Sequence, residues 1–394
     1  MERIGIYGGT FNPPHVGHIR AAVCAYDRLA LSKMLLIPSC ISPHKILPAD
    51  SPTPEQRIKM LQLSVAGLEN LTVSDLELQR GGSSYTYETV EQLRRQYPNA
   101  ERILFMGTDM FLSFLDWKYP ERILQCVSLG VFYRGTREEK AMIDGQKQRL
   151  ETMGATVYLV ENPITEISST DLRRMLVLQC ADSFLAPDVC RYIEAQKLYG
   201  TGNDYRGLTE KQLEEVVVGL LKPSRVAHVL GCRDEAVKLA KFWGADANDA
   251  ARAALLHDVT KALDGPLQLE LCRCYGVPLD SFSVENPKTL HALTGSLVAQ
   301  RIFGESEAVV NAICSHTTGK ANMNLLEKII YVADYMEPNR DFPGVDQLRT
   351  LAYSNMDAAL RCGLEMTMDM LRRQNSTISR ESEEALQYLL GNGV

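Results

Sequence analysis

The sequence predicts two folds in one chain: an α/β doubly wound parallel sheet over residues 1–200 and an all-α helical bundle over 208–394. Three observations predict them. Short apolar runs alternate with helical stretches through the first half, as successive parallel βαβ units require. Beyond Gly200 helical periodicity continues with no convincing strand, and between the halves Thr201 to Gly207 breaks all periodicity as a linker does.

Taken in order, Ile4-Gly5-Ile6-Tyr7 reads as a buried strand and Gly8-Gly9-Thr10-Phe11-Asn12-Pro13-Pro14-His15-Val16-Gly17-His18 as a glycine turn entering a helix. The two glycines let the backbone approach a ligand, and the helix start offers N–H groups and a positive dipole end to phosphate. His15 and His18 are three apart and share one face of the first turn. Met34 to Pro38, Leu71 to Val73, Ile103 to Met106, Ser128 to Phe132 and Val157 to Val160 are further strands. Thr53-Pro54-Glu55 has the look of a capping box, Tyr87 to Gln96 is helical, and Val189 to Tyr199 reads as the closing helix of this half.

Ligands of such folds bind beyond the carboxyl ends of the strands. The residues there are chemically loaded: the glycine turn, Ser39 to Lys45, Gly107-Thr108-Asp109, Arg134, and Ile167-Ser168-Ser169-Thr170-Asp171-Leu172-Arg173. In the last segment Ser168 to Thr170 are N-cap types and Asp171 suits a first turn, which makes a second anion site. The glycine turn matches neither of the common dinucleotide or P-loop patterns.

With 394 residues, 45% of them hydrophobic, two domains can each build a core. A net charge of −7 argues against nucleic acid or anionic lipid as partners. No apolar run approaches the ~20 residues of a membrane helix and no charged leader precedes the first strand, so the expected location is cytoplasmic. The ten cysteines lack a CxxC pair and read as mainly reduced thiols.

The G-G-T-F-N-P-P-H-V-G-H and I-S-S-T-D-L-R segments together resemble the HxGH nucleotidyltransferases. Thr53 to Met60, Ser84-Tyr85-Thr86-Tyr87, Gly107-Thr108-Asp109 and Trp117-Lys118 narrow the resemblance to bacterial nicotinate-nucleotide adenylyltransferase, over residues 1 to about 200. Asn12 stands where an acidic residue is common in that family, and Leu172 replaces an isoleucine. The resemblance implies transfer of AMP from ATP to nicotinate mononucleotide with Mg²⁺, giving deamido-NAD and pyrophosphate. It implies that His15, His18 and Arg173 are catalytic. ATP would lie against Gly8, Gly9, Thr10, Phe11, His15, His18, Gly107, Asp109, Arg134, Ser168, Ser169, Thr170 and Arg173. Lys45, Arg57, Tyr85, Thr86, Trp117 and Lys118 would bind the nicotinate nucleotide, with Trp117 stacked on the pyridine and backbone N–H groups near Thr86 and Trp117 receiving its carboxylate. Another phosphate acceptor is the alternative.

All four histidines of the second half fall in motif-like places: His228, His257 followed by Asp258, His291 and His316, with Asp334 after them. The order H…HD…H…H…D resembles the HD phosphohydrolases, and His257 to Lys261 with Asp334 to Arg340 resembles the bacterial HD hydrolases that cleave diadenosine tetraphosphate symmetrically. The resemblance implies one metal on His228, His257, Asp258 and Asp334, and a second bridged by Asp258 to His291 and His316. Imidazole and carboxylate ligands suit iron or manganese better than thiolate-bound zinc. Asp258 and Lys261 are expected to be catalytic, and Lys261, Lys320 and Arg340 to contact phosphate. A nucleotide-sensing or dimerisation module, or hydrolysis of another nucleotide, is the alternative for this half. A homo-oligomer is a prior expectation only.

Overall fold

The computed structural model describes residues 2–41, 48, 51–162 and 167–391. The chain divides between Asn203 and Asp204 into two compact units, inside the stretch read as a linker.

In the first unit β1 (Arg3–Gly9), β2 (Lys33–Pro38), β3 (Leu71–Val73), β4 (Glu101–Gly107), β5 (Ser128–Tyr133) and β6 (Val157–Glu161) form a sheet in the order β3-β2-β1-β4-β5-β6. Every pairing is parallel. The strand order reverses direction between β1 and β4, so the crevice beyond their carboxyl ends is the place for a ligand. Alternate side chains go to opposite faces: Ile4, Ile6, Leu35, Ile37 and Leu104 enter one apolar layer, and Met34, Leu36, Ile103 and Phe105 the other. Burial on both faces explains why these strands read as continuous apolar runs. Gly130 is required by packing: a Cβ there would lie 2.4 Å from the Phe105 ring, which stacks on Phe132.

The helices of this unit are α1 (Val16–Arg28), α2 (Pro54–Ser64), α3 (Leu76–Arg80), α4 (Thr86–Gln96), α5 (Thr108–Leu112), α6 (Pro120–Leu124), α7 (Arg137–Thr152), α8 (Ser169–Val177) and α9 (Pro187–Ala195). The capping box of α2 pairs Thr53 with Gln56, one residue beyond the Glu55 that suggested it. Ser168 caps α8 by accepting the Asp171 N–H. The closing helix is shorter than its periodicity indicates and ends at Ala195. Lys197 and Tyr199 take positive φ, 51° and 56°, which turns the chain out of the helix and brings the Tyr199 hydroxyl to Asn12 Oδ1 at 2.6 Å.

The second unit comprises α10 (Glu210–Leu220), α11 (Pro223–Trp243), α12 (Ala247–Leu256), α13 (Gly265–Cys274), α14 (Ser281–Glu285), α15 (Leu290–Val298), α16 (Glu307–Ser315), α17 (Leu325–Met336), α18 (Val345–Ala352), α19 (Met356–Arg373) and α20 (Arg380–Gly391). Its described residues contain no strand. Fully buried Ala250, Ala251, Ala253 and Ala254 give α12 a slim surface, which lets it pack close to α11, α16 and α17. Tyr205 packs on Phe303 with ring centroids 5.9 Å apart, so the end of the linker stretch belongs to this unit. Among the described residues no helix is long and apolar enough to cross a membrane.

Candidate active sites

The glycine turn of the first unit is braced from behind. The buried Arg57 guanidinium donates to Thr10 O at 2.7 Å, Ser39 O at 2.7 Å and Cys40 O at 3.0 Å. Arg173 Nη1 donates to Asn12 O at 2.9 Å and its Nη2 to Thr170 Oγ1 at 3.0 Å, which links the two anion-binding helix starts. Between these braces His15 is the N-cap of α1, and its backbone N–H donates to His18 Nδ1 at 3.2 Å. An acceptor Nδ1 puts the proton of a neutral His18 on Nε2. The two rings lie 3.7 Å apart. Burial pushes the His15 pKa down to about 4, so that ring is neutral near pH 7.

Two cavities meet at this turn. One of about 650 Å³ is lined by His15, His18, Gly107, Asp109, Arg134 and Glu139 among others. The other, about 260 Å³, is lined by Gly8, Gly9, Thr10, Phe11, His18, Gly107, Thr86, Trp117 and Ser169 among others. His18 and Gly107 border both. At Gly8 a Cβ would meet nothing within 4 Å, so the backbone there is open to an approaching group. Glu139 fixes the larger cavity by accepting from Thr108 Oγ1 at 2.5 Å and from the Arg134 N–H at 2.7 Å.

Some expected ligand contacts lie elsewhere. Arg57 is not among the residues lining either cavity, and backbone carbonyls hold its guanidinium, so it braces the turn. Lys118 sits over the Tyr85 ring at 3.9 Å, and this pair packs on itself beside the cavities. The Trp117 backbone N–H donates to Phe114 O at 3.2 Å, whereas Thr86 lies at the start of α4. Ser168 and Thr170 flank Ser169, which alone of the three lines a cavity. Lys45 lies outside the described residues.

In the second unit five elements deliver the polar cluster. His228 projects from α11, His257 and Asp258 follow α12, His291 lies in the first turn of α15, His316 caps α16 and Asp334 is on α17. Asp258 turns its two oxygens to different partners. Its Oδ2 is 3.6 Å from His257 Nε2 and 3.7 Å from His228 Nε2, while its Oδ1 is 3.4 Å from His291 Nε2 and 3.9 Å from His316 Nε2. Asp334 Oδ1 lies 3.1 Å from His228 Nε2 and 2.8 Å from Arg340 Nη2.

The rings are oriented from outside the cluster. Nδ1 of His257, His291 and His316 each bonds a backbone carbonyl, of Ala254 at 2.6 Å, Lys288 at 2.8 Å and Ile313 at 2.6 Å. This leaves every Nε2 facing inward as a lone-pair donor. His228 differs: its Nδ1 lies 3.1 Å from Glu337 Oε1, a buried carboxylate that fits because Gly231 has no Cβ to strike it. Burial lowers the pKa of His291 to about 3 and of His316 to about 4. Burial also lowers that of His228, but Asp334 and Glu337 outweigh it and raise it. For Asp258 and Asp334 burial favours the neutral acid, yet the imidazoles around them prevail and hold both carboxyls below the usual range.

This donor set fits a divalent metal. The Nε2 atoms of His257 and His316 are buried without a hydrogen-bond partner, and His228, His257 and Asp334, like His257, Asp258 and His316, bring ligand atoms within 4.8 Å of one another. Lys261 Nζ is 2.8 Å from His291 Nε2, inside the cluster. Lys320 is paired with the buried Glu327 at 2.7 Å, so its charge is already balanced.

Residues 6–175 match the cytidylyltransferase-like family model and residues 225–339 the HD domain model. A probable nicotinate-nucleotide adenylyltransferase of Shewanella sp. is 36% identical over 214 residues, covering 50% of this chain and 99% of the relative. One from Borrelia garinii subsp. bavariensis is 33% identical over 198 residues, 50% of this chain and 94% of the relative. Through its first unit, the chain belongs to the nicotinate-nucleotide adenylyltransferase family. Among solved structures, a predicted HD superfamily hydrolase involved in NAD metabolism from Clostridium acetobutylicum is 36% identical, with a TM-score of 0.46, over 47% of this chain and 98% of that one.

In the nicotinate-nucleotide adenylyltransferase unit, sequence reasoning missed Glu77, which lines the smaller cavity and accepts from Thr89 Oγ1 at 2.6 Å, and Tyr199, which holds Asn12. In the HD domain it missed Arg225, 3.4 Å from Asp258 Oδ2, Glu337, and the buried Thr260–Gln268–Thr294 network under the His257–Lys261 turn. Only Glu337 left a readable trace, as an acid one helical turn beyond Asp334.

Proposed function

We propose that the chain is bifunctional: the first unit transfers AMP from ATP to nicotinate mononucleotide, and the second hydrolyses diadenosine tetraphosphate to two ADP at a divalent-metal centre. The observation that carries the first activity is the meeting of two cavities at His18 and Gly107, one large enough for ATP and one walled by Trp117 and Thr86. The acceptor phosphate is already a nucleophile, so it attacks the α-phosphorus in line and pyrophosphate leaves with its electron pair. The protein's part is positioning and charge neutralisation. His18 Nε2–H, neutral His15 and the starts of α1 and α8 donate to phosphate oxygens, Arg173 adds positive charge, and bound Mg²⁺ would supply further neutralisation of phosphate charge. Asp109, Arg134 and Gly107 face the adenosine. Trp117 stacks on the pyridine, and the start of α4 receives its carboxylate. Glu77 beside that start is held by Thr89 and does not compete for it.

The two-sided presentation of Asp258 carries the second activity. His228, His257, Asp258 and Asp334 would hold one iron or manganese ion and Asp258, His291 and His316 a second, and the metal would supply water activation and charge stabilisation on the departing phosphate. Arg340 and Arg225 position the phosphate chain beside Asp334 and Asp258, and Lys261 adds charge at the His291 side.

The full chain, given ATP, nicotinate mononucleotide and Mg²⁺, is expected to release pyrophosphate and deamido-NAD. Equal kcat/KM for the amide mononucleotide would sink the acid preference. Given diadenosine tetraphosphate and Mn²⁺ or Fe²⁺, it is expected to form ADP alone. AMP plus ATP would overturn the symmetrical assignment, and bound nucleotide with no product under any metal would overturn hydrolysis.

A further inference from the structure

Beside the HD cluster lies a cavity of about 570 Å³ that none of the roles above uses. Its wall nearest the cluster is Arg340, whose guanidinium donates through Nη2 to Asp334 Oδ1 at 2.8 Å and through Nε to Asp334 O at 3.0 Å. The same side chain therefore borders the cavity on one side and a carboxylate of the centre on the other. Next to it Tyr335 and Phe342 meet edge to face, with ring centroids 5.2 Å apart and planes at 68°. Two rings at this angle form a corner in which a third flat ring can lie against one face and one edge.

Met366 and Met370, four apart on α19 and so on one face of it, also line the cavity. Thioethers are polarisable and adapt to a flat aromatic guest. Met370 is 44% exposed, so its side chain is open to a guest entering the cavity. Arg373, one turn further, and Asp369, which accepts from Arg372 Nη1 at 2.9 Å, also line it and leave Arg340 as the charge next to the centre. The cavity is built, not incidental: Gly344 takes φ 96°, and a Cβ there would lie 2.6 Å from Met366 Cε, so the turn that carries Phe342 is pressed against the methionine wall.

We propose that this cavity is the nucleobase subsite of the HD centre, taking the purine end of a nucleotide whose phosphate chain passes Arg340 to reach Asp334 and Asp258. This rests on the reading of the second unit as a nucleotide phosphohydrolase. A flat apolar slot gives affinity for a base with little discrimination between bases, because every base has a π face. The arginine at its inner end selects for the phosphate that follows the base.

The test uses the full chain loaded with Mn²⁺, without ATP so that adenylyl transfer is silent. Phe342→Ala and Met370→Glu are compared with the parent on diadenosine tetraphosphate and on inorganic tripolyphosphate, which carries no ring. The expected result for both variants is a KM for the nucleotide raised about tenfold, with kcat within about twofold and the ring-free substrate unaffected. An unchanged nucleotide KM overturns the proposal, and so does an equal loss on both substrates, which would place these residues in the centre itself. Should the parent hydrolyse neither substrate, the phosphohydrolase reading fails. The subsite is then tested by titrating ADP with and without Mn²⁺: a metal-dependent binding event weakened by Phe342→Ala upholds it, and one of unchanged affinity, or no such event, overturns it.

Discussion

The two units both gather groups suited to phosphate, but they build from opposite materials. In the first unit the cavities are bordered by backbone that can donate to phosphate: Gly8, Gly9, and the helix starts at His15, Thr86 and Ser169. Its charged side chains Arg57 and Arg173 each donate to a carbonyl of the turn, Thr10 O and Asn12 O, and Arg57 also to Ser39 O and Cys40 O beyond β2. In the second unit the inward-facing atoms are side-chain nitrogens and oxygens, and the backbone does the bracing through the carbonyls of Ala254, Lys288 and Ile313. Where helix starts offer their N–H groups, side chains hold the backbone; where side-chain nitrogens and oxygens converge, backbone holds the side chains. A substitution at a facing residue should therefore damage one activity alone, and one at a brace should damage a unit's stability.

The largest effect is expected from Asp258→Asn, which removes the one carboxylate facing both histidine sets. Hydrolysis should fall to background, beyond the ~10–100-fold loss that follows removal of a supporting partner behind a metal ligand, and metal content by elemental analysis should drop with it. Deamido-NAD synthesis should be unchanged. Retained metal with retained hydrolysis would remove Asp258 from the centre.

His18→Ala is the mirror experiment. Loss of a donor aimed at developing phosphate charge should lower kcat for pyrophosphate release by ~100-fold, with hydrolysis in the second unit unaffected. A rise in KM alone would make His18 a ground-state binding group.

The contrast between the sites also explains what the sequence could disclose. The strands were legible because a sheet covered on both faces needs unbroken apolar runs, as in Met34 to Ile37. Their spatial order was not, since no local pattern records that β1 lies between β2 and β4. The HD cluster was legible because the inward-facing groups are themselves the unusual residues, His257-Asp258 foremost. Braces were not. Arg57 looks like any helix arginine until Thr10 O, 47 residues away, is found against it, and Tyr199 reaches Asn12 across 187 residues. Lys118 and Tyr85 carried the right chemistry for a nucleotide contact, but their attraction for each other is a tertiary fact.

Arg57 is the sharpest test of the brace reading. Arg57→Met keeps the apolar stem and deletes three charge-assisted bonds to part-buried carbonyls. It should destabilise the first unit by about 3 kcal/mol and raise KM for ATP and nicotinate mononucleotide together. The chain has two tryptophans, so Trp243→Phe leaves Trp117 as the reporter of the first unit in denaturant unfolding. A selective rise in the nicotinate-nucleotide KM with unchanged stability would return Arg57 to the ligand.

The smallest effect is a pH dependence of that same unit. The His15 pKa in the folded chain, about 4, lies below the ordinary 6.5, because burial disfavours the charged ring. As pH falls the unfolded chain takes up the proton first. Stability is therefore intact above about pH 6.5, falls progressively between there and pH 4, and levels off below. Between pH 7 and pH 5 His15 alone should account for about 2 kcal/mol of lost stability. His15→Asn keeps a neutral side chain that suits an N-cap and cannot titrate there. In the Trp243→Phe background, the unfolding free energy of the His15→Asn variant should decline less steeply over that interval by about this amount. Parallel curves for the two proteins would mean that His15 is as readily protonated in the folded turn as in the unfolded chain, and that the ring pair meets phosphate with a charge instead of as neutral donors.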